Sequence, residues 1–401
     1  MSVTAVRGFE AAGIACGIKP SGVPDLSLVA TSDRVPVTAA GVFTTNLACA
    51  APVQVNRLHL ADGRAAAVVL NSGNANAATG EQGRADARRM CELTASSLGC
   101  GTEDVLVCST GLIGIPLPMA PIEDGIPRLA ALLGSDVAAG MSAADAMLTT
   151  DTVRKEAIWE GSGAAGGPAI TAGGMAKGAA MLAPAMATML AVITSDAVAS
   201  PRALQRALEH AVEDTFNALL VDGCMSTNDT VLVLANGAAG NPMIDAASGP
   251  GFHALTEVLT RVCDSLAEQM ARDAEGATKL ARIVVRGARS TTEARVAARG
   301  VARSQLVQCS LYGCDPYWGR VLSELGASGA FIDPERVDIA YNGITVCRNG
   351  IAAAHDAAAL TVAMQPREIT IEADLHLGNG EARVRFTDLT HAYVDENMGT
   401  S

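Results

Sequence analysis

Aromatic side chains and positive charge are both scarce in this chain. Phe, Tyr and Trp together make up only 3% of the 401 residues, so Ala, Val, Leu and the 40 Gly must build the interior. Small side chains in such numbers indicate closely packed layers of helix and sheet. The 29 Lys and Arg against 42 Asp and Glu leave a net charge of −13. Because no basic run is present to neutralise a phosphate backbone, we expect no nucleic-acid partner.

Signals for secretion, membrane insertion and metal binding are also missing. The N-terminal MSVTAVRGFEAAG has no apolar h-region and contains Glu10, unlike a signal peptide. The most apolar stretch, 179–194, is about 16 residues long and contains Pro184, so it is too short and broken to span a bilayer. The ten Cys are scattered, with no CxxC pair and no neighbouring His. These absences predict a cytoplasmic protein with no membrane partner and no metal site.

Helix and strand patterns alternate along the chain, which predicts an α/β fold. Apolar residues recur at three- and four-residue spacing in the predicted helices 85–98, 201–216 and 252–273. Short β-rich runs predict strands at 65–70, 104–109, 230–235, 281–287 and 369–375. Neither a dinucleotide fingerprint nor a GxxxxGK[ST] phosphate loop accompanies them, so nothing in the sequence supports nucleotide chemistry.

An obvious catalytic base is absent as well. HExxH, GxSxG and paired-carboxylate signatures do not occur, and the six His stand singly. An N-terminal nucleophile avoids the need for a His, because its own α-amino group, with a pKa of about 7.7–8.0, suits proton transfer at neutral pH. This solution requires the chain to cut itself in front of a Thr, Ser or Cys.

The segment 177–197, KGAAMLAPAMATMLAVITSDA, meets this requirement. Ala187 and Thr188 form a pair of a small residue and a Thr, in an apolar setting that would desolvate the bond between them. Thr188 could attack the Ala187 carbonyl, form an ester by an N-to-O acyl shift, and be freed by water. On local composition alone, an ordinary buried strand or helix start with a capping Thr is favoured over a cleavage site.

A family resemblance reverses that preference. KGAAMLAPAMATML, together with TTDT at 149–152, resembles the ornithine acetyltransferase family, also called bifunctional glutamate N-acetyltransferases. Further similar blocks follow in family order at 7–29, 41–53, 70–83, 105–119, 226–231, 272–280 and 312–321. The resemblance implies stacked mixed sheets covered by helices, in a self-cleaving enzyme with an N-terminal Thr nucleophile.

The resemblance also implies roles for individual residues. Thr188 matches the nucleophile, freed when the bond between Ala187 and Thr188 is cut. Thr110 and Gly111, in a turn after the strand predicted at 104–109, match the oxyanion hole, where one donor contributes roughly 3–4 kcal/mol to acyl transfer. Lys177 would face a substrate carboxylate as a compact cation, and Glu275 a substrate ammonium group. The full set of matched substrate contacts is Thr149, Lys177, Thr188, Glu275, Asn397 and Ser401.

The implied reaction is acetyl transfer from N2-acetyl-L-ornithine to L-glutamate, in arginine biosynthesis, through an acetyl-Thr188 intermediate. That cycle needs no cofactor, and acetyl-CoA enters only if the protein also acetylates glutamate directly. The implied mature protein has an α chain (1–187) and a β chain (188–401), assembled as a heterotetramer of two copies of each. Acetylornithine and glutamate are then its small-molecule partners.

Four departures from the family pattern keep alternatives open. Ala185 stands where the family usually has Asn, 224–225 (Cys-Met) where it has Asp-Thr, and Tyr317 where it has Asn; the tail is one residue shorter. These changes leave open a different acyl donor or acceptor. A second hypothesis is a self-cleaving amidase or aminopeptidase, in which water rather than glutamate resolves the acyl-enzyme. Ala185 also leaves open a non-catalytic paralogue with a binding or regulatory role, whose chain would stay uncut.

Two polar segments are interpreted as structural. The Asn- and Gly-rich segment 71–80 predicts a loop with residues at positive φ. The segment 226–230, STNDT, is expected either to cap a helix or to begin a strand. Neither segment is assigned a catalytic role.

Overall fold

The computed structural model describes residues 2–162, 167–182 and 189–399. Ala187, Thr188 and Ser401 lie outside the described residues, and so does the departure Ala185. The chain divides into two compact units. Within the described part, unit 1 comprises 2–162, 167–178, 189–216 and 225–270, and unit 2 comprises 179–182, 217–224 and 271–399. The predicted cut between 187 and 188 is not a boundary between these units, because unit 1 takes residues from both sides of it.

Strands and helices alternate along the described residues. The strands are β1 (Phe9–Ile14), β2 (Leu26–Thr31), β3 (Val37–Phe43), β4 (Arg64–Ala65), β5 (Ala67–Asn74), β6 (Val105–Leu112), β7 (Lys155–Gly161), β8 (Ile170–Lys177), β9 (Leu190–Ser195), β10 (Leu219–Leu220), β11 (Thr230–Ala235), β12 (Leu280–Ala288), β13 (Asp338–Tyr341), β14 (Ile344–Arg348), β15 (Ile351–Ala352), β16 (Glu368–Asp374) and β17 (Gly380–Thr387). The helices are α1 (Ala51–His59), α2 (Gly80–Leu98), α3 (Met119–Ala130), α4 (Val137–Ala146), α5 (Pro201–Glu213), α6 (Gly249–Arg272), α7 (Thr291–Arg303), α8 (Gln305–Tyr312), α9 (Trp318–Ala327), α10 (Ala357–Ala363) and α11 (His391–Glu396).

Unit 1 contains two mixed sheets. The first has the strand order β1-β2-β5-β6 and is parallel only between β5 and β6. The second has the order β4-β3-β11-β9-β8-β7 and is parallel only between β11 and β9. Val68 and Leu106 of the first sheet share one buried core with Val192 and Leu232 of the second. The two sheets therefore pack face to face.

Helices cover the outer faces of these two sheets. On the first sheet, Met90 of α2 and Ile126 of α3 join one core with Val69 and Val107. On the second, α5 packs against β3, and α6 packs against β8. Gly174 of β8 lets α6 approach closely, since a Cβ there would lie 3.0 Å from Val262. Unit 1 is thus layered as helix, sheet, sheet and helix.

Unit 2 contains the third sheet, also mixed, with the order β10-β17-β12-β16-β13-β14-β15. Its core joins Ile283 of β12 and Phe386 of β17 with Val301 of α7, Leu311 of α8 and Val321 of α9. Strand β16 alternates buried and partly exposed residues, as expected when one face of a sheet is covered.

The predicted α/β fold with mixed sheets and covering helices is confirmed. The three predicted helices are α2, α5 and α6, and each observed helix begins before or at the predicted start. The five predicted strands fall on β5, β6, β11, β12 and β16. Within the part of the chain that the structure describes, no helix is both long and apolar enough to cross a membrane.

The loop predicted at 71–80 is only partly correct. Its first four residues belong to β5, because they pair with β6. Their polar groups form hydrogen bonds within the segment; for example, Asn71 Nδ2 donates to the Asn74 carbonyl at 2.8 Å. The positive φ angles predicted there are confirmed at Gly73 (103°), Asn76 (46°) and Ala78 (57°). The segment 226–230 begins a strand, β11, rather than capping a helix.

Candidate active site

The carboxyl end of β6 contains the two residues predicted to hold the oxyanion. The prediction of a turn at these residues is wrong, because β6 continues to Leu112, with Thr110 paired to Ser72 and Gly111 to Gly73 of β5. Gly111 has a φ of 134°, and a Cβ there would lie 2.3 Å from the Gly73 carbonyl carbon. Only glycine fits this position, since φ is positive and the neighbouring backbone leaves no room.

Lys177, the last residue of β8, lies beside Thr110. Its side chain is buried, and its Nζ donates a hydrogen bond to Thr110 Oγ1 at 3.3 Å. The same Nζ lies 3.9 Å from Asp151 Oδ2. Because Thr110 Oγ1 accepts from Lys177, the Thr110 hydroxyl proton remains available to a second acceptor. The structure thus brings together two of the predicted site residues, one a cation and one a hydroxyl group.

Asp151 organises this cluster, although its role was not predicted. Its side chain is fully buried, and Oδ1 accepts from Lys155 Nζ at 2.5 Å and from the Gly178 N–H at 2.7 Å. Its Oδ2 accepts the Thr149 N–H at 3.1 Å. The predicted substrate contact Thr149 is therefore fixed to the carboxylate that also lies beside Lys177.

Two buried ammonium groups lie beside the Asp151 carboxylate. Burial alone would raise the pKa of Asp151, but Lys177 and Lys155 outweigh that effect and lower it to about 2. Burial lowers the pKa of Lys19. The nearby Lys177 lowers it further, because the two cations repel each other.

The segment 228–230 connects the end of β6 to the residue after the predicted nucleophile. Asn228 Nδ2 donates to the Ser109 carbonyl at 2.8 Å. Asp229 Oδ1 accepts the Met189 N–H at 2.9 Å, and the Thr230 N–H donates to the Met189 carbonyl at 3.1 Å. Polar residues directly before a buried strand were the available sequence signal for Asn228 and Asp229, but they were interpreted as structural.

Unit 2 brings together two further predicted substrate contacts. Asn397 Nδ2 donates to Glu275 Oε2 at 2.7 Å, and Glu275 is buried. Asp222 and Tyr393 are close neighbours: burial raises the pKa of both, and the Asp222 carboxyl raises that of Tyr393 further. Asn397, which follows the last helix, thus lies beside an acidic side chain.

Three predicted site residues, Thr188, Ala187 and Ser401, lie outside the described residues. Of the departures from the family pattern, Cys224 is exposed and donates its N–H to Asp222 Oδ1 at 2.9 Å. Tyr317 is exposed and stacks with the Arg320 guanidinium at 5.3 Å from the ring centre. In the described part of the chain, no group of three His, Cys, Asp or Glu residues is placed to hold a metal ion.

Comparison with known proteins gives matches along the whole chain. A model of the ArgJ family matches residues 10–399. The chain is similar to the arginine biosynthesis bifunctional protein ArgJ of Thermobifida fusca, with 46% identity over 401 residues and all of both chains covered. The protein of the same name from Streptomyces coelicolor is 46% identical over 402 residues, again covering all of both chains. Among solved structures, the chain is similar to ornithine acetyltransferase from Mycobacterium tuberculosis complexed with ornithine, with 41% identity, a TM-score of 0.40, and coverage of 46% of this chain and 94% of that chain.

Proposed function

This chain belongs to the ArgJ family, and on that premise we propose that it transfers an acetyl group from N2-acetyl-L-ornithine to L-glutamate. The observation that supports this most directly is the contact between Lys177 and Thr110 beside Gly111. A buried cation next to two oxyanion donors suits acyl transfer, because it stabilises negative charge where the acyl carbonyl is attacked.

In the proposed cycle, the Thr188 hydroxyl attacks the acetyl carbonyl carbon while the Thr188 α-amine takes the hydroxyl proton. The Thr110 hydroxyl and the Gly111 N–H hold the oxyanion. The amide C–N bond then breaks, and the α-amine returns the proton to the departing nitrogen of ornithine. The neutral α-amine of glutamate then attacks the acetyl carbonyl carbon of acetyl-Thr188 and gives a proton to the Thr188 α-amine. The ester C–O bond breaks, and the α-amine passes this proton to the departing Thr188 Oγ, which restores the free hydroxyl. All the catalytic groups belong to the protein, so the cycle uses no cofactor. Acetyl-CoA takes part only if it replaces acetylornithine as the acetyl donor.

Substrate recognition is proposed to use one cationic and one acidic side chain. Lys177, supported by Thr149 and Asp151, supplies the positive charge for a substrate carboxylate. Glu275, paired with Asn397, supplies the negative charge for the ammonium group of ornithine or glutamate. Ser401 is proposed to complete this set.

Maturation and assembly follow from the same proposal. The chain cuts itself between Ala187 and Thr188, giving an α chain (1–187) and a β chain (188–401) that form a heterotetramer of two copies of each. The structure describes all ten Cys, and none of them forms a disulfide, which fits a reducing compartment, so we place the protein in the cytoplasm.

The test combines processing with acetyl transfer. Purified protein should run as two pieces, and the C-terminal one should begin TMLAV by Edman sequencing, whereas Thr188→Ala should stay uncut. With acetylornithine alone, intact mass should show one acetyl group on the β chain; with labelled glutamate present, the label should appear in acetylglutamate.

Other outcomes of these assays identify the alternatives. Acetate released from acetylornithine without glutamate would identify an amidase. Transfer only from a different acylated amino acid would change the substrate assignment. An uncut wild-type chain without activity would contradict the proposal and favour a binding paralogue.

A further inference from the structure

Asp229, the residue before β11, is a buried carboxyl bonded to Met189, the residue that follows the predicted nucleophile in the sequence. It is fully buried, and its Oδ1 accepts the Met189 N–H at 2.9 Å.

The backbone around Asp229 is tightly held. Its own carbonyl accepts the Thr44 N–H at 2.9 Å, and the next residue, Thr230, donates to the Met189 carbonyl. Both backbone polar groups of Met189 are thus bound by two consecutive residues. Since Asn228 binds the Ser109 carbonyl, one short segment fixes the nucleophile's neighbour relative to the strand that contains Thr110.

The second oxygen of Asp229 indicates that the carboxyl is neutral. Among the described residues, Oδ2 has no hydrogen-bond partner, and it is inaccessible to water. An ionised carboxylate left in this state would be costly. Burial raises the pKa of Asp229 well above its usual range, an effect that the Met189 N–H, Ser226 and Lys177 oppose only in part.

We propose that Asp229 acts as a neutral positioning residue, which fixes Met189, the residue that follows the predicted nucleophile in the sequence, relative to the strand that contains Thr110. This inference rests on Thr188 being the nucleophile of the proposed function. It concerns the shape and hydrogen bonding of the side chain rather than its charge.

Two variants of similar size separate these properties. Asp229→Asn keeps an oxygen to accept the Met189 N–H and a donor in place of the protonated oxygen, whereas Asp229→Leu removes both. Self-cleavage is followed by intact mass, and kcat and KM are measured on the cleaved protein. Because misplaced reacting groups lower the rate steeply, we expect Asp229→Leu to slow cleavage and lower kcat by about tenfold or more, with KM within about twofold. Asp229→Asn should remain within about threefold of the wild type in all three quantities.

Asp196 offers a matched control at the other end of β9. Its Oδ1 accepts the Thr171 N–H at 2.7 Å, and burial raises its pKa as well. Asp196→Leu should cost stability but cleave and turn over like the wild type. The wild type and Thr188→Ala are run in parallel, since a wild-type chain that is not cut before Thr188 would contradict the proposed function itself.

Two results would overturn the inference alone, given a wild type that cuts before Thr188. One is Asp229→Leu that cuts and turns over at the wild-type rate. The other is Asp229→Asn that loses about tenfold or more while its melting temperature matches the wild type, because a charged carboxylate would then be required. If Asp229→Leu does not fold, the Asp229→Asn rates decide by the same criterion.

Discussion

At the residue scale, the Thr110 hydroxyl can form two hydrogen bonds, one as an acceptor and one as a donor. Its oxygen accepts from Lys177, so its proton is directed elsewhere, and in the proposed cycle that acceptor is the oxyanion. A donor of this kind acts mainly on the transition state, because the ground-state carbonyl oxygen occupies a different position.

We expect Thr110→Ala to lower kcat by roughly a hundredfold or more while changing KM little. The measurement is steady-state acetyl transfer, with Thr361→Ala on exposed α10 as a control that should match the wild type. A variant that loses affinity but keeps turnover would place Thr110 in ground-state binding instead.

Asp151 gives a prediction about stability and pH. Its pKa is about 2 in the folded protein, against ~3.9 in an unfolded chain. Its charge therefore stabilises the folded state above about pH 4, and that stabilisation is lost as the pH falls towards 2. Asp151→Asn should lower the free energy of unfolding at pH 7 by about 3–5 kcal/mol, because it leaves two buried lysines without their carboxylate.

Urea unfolding at pH 7 and at low pH measures this effect. The gap between the wild type and Asp151→Asn should narrow below pH 4. Asp145→Asn is the matched control, since Asp145 pairs with Arg154 at 2.6 Å in a partly exposed position. It should cost no more than about 1 kcal/mol. Equal losses from the two variants would contradict the buried network described for Asp151.

At the scale of elements, the parallel pair β5 and β6 explains why position 111, predicted to hold the oxyanion, is a glycine. The two strands approach so closely at Gly73 and Gly111 that a side chain on Gly111 would overlap backbone atoms. The N–H of Gly111 is thus positioned by the ladder itself rather than by a flexible loop.

Gly111→Ala should disturb this strand end, and Gly114→Ala provides the comparison. Both residues have positive φ, of 134° and 83°, but a Cβ on Gly114 would meet nothing within 4 Å. Gly114→Ala should cost about 1–2 kcal/mol of stability from backbone strain alone, whereas Gly111→Ala should cost more and also lower kcat. Urea unfolding together with kinetics measures both effects, and similar results for the two variants would argue against the close approach.

The elements that could be predicted from the sequence are those with a strong local pattern. Strand β11 was predicted within its observed bounds because its β-branched and leucine residues form an uninterrupted buried run. The continuation of β6 through Thr110 could not be predicted, because polar residues and glycine stay in a strand only when a partner such as β5 pairs with them. Asp151 was missed for a similar reason: its bond to the Gly178 N–H spans 27 residues, and no local pattern reports such a contact.

At the scale of the whole molecule, the division into two units could not be predicted from local sequence patterns either. The short segments 179–182 and 217–224 belong with 271–399, although they lie within stretches that belong to unit 1. The family resemblance nevertheless identified Glu275 and Asn397 as members of one site, and the structure places them 2.7 Å apart within unit 2. Their roles toward substrate remain predictions.

The pairing of β8 with β9 has a consequence for how the mature protein is held together. The two strands pair from Ala172 and Ser195 to Lys177 and Leu190, and β9 also pairs with β11. The proposed cut lies between them, so the fragments on either side share a continuous sheet and should co-elute without denaturant. Once unfolded, however, they are two molecules, and their reassociation must pay the entropy of bringing separate chains together.

Refolding of the cut protein should therefore be second order, with a half-time that shortens as protein concentration rises, whereas uncut Thr188→Ala should refold at a rate independent of concentration. Refolding after dilution from urea, followed over a tenfold range of concentration, measures this difference. Concentration-independent refolding of the cut protein would show that one fragment folds without the other. Cleavage before Thr188 would thus turn an intramolecular folding reaction into a bimolecular one.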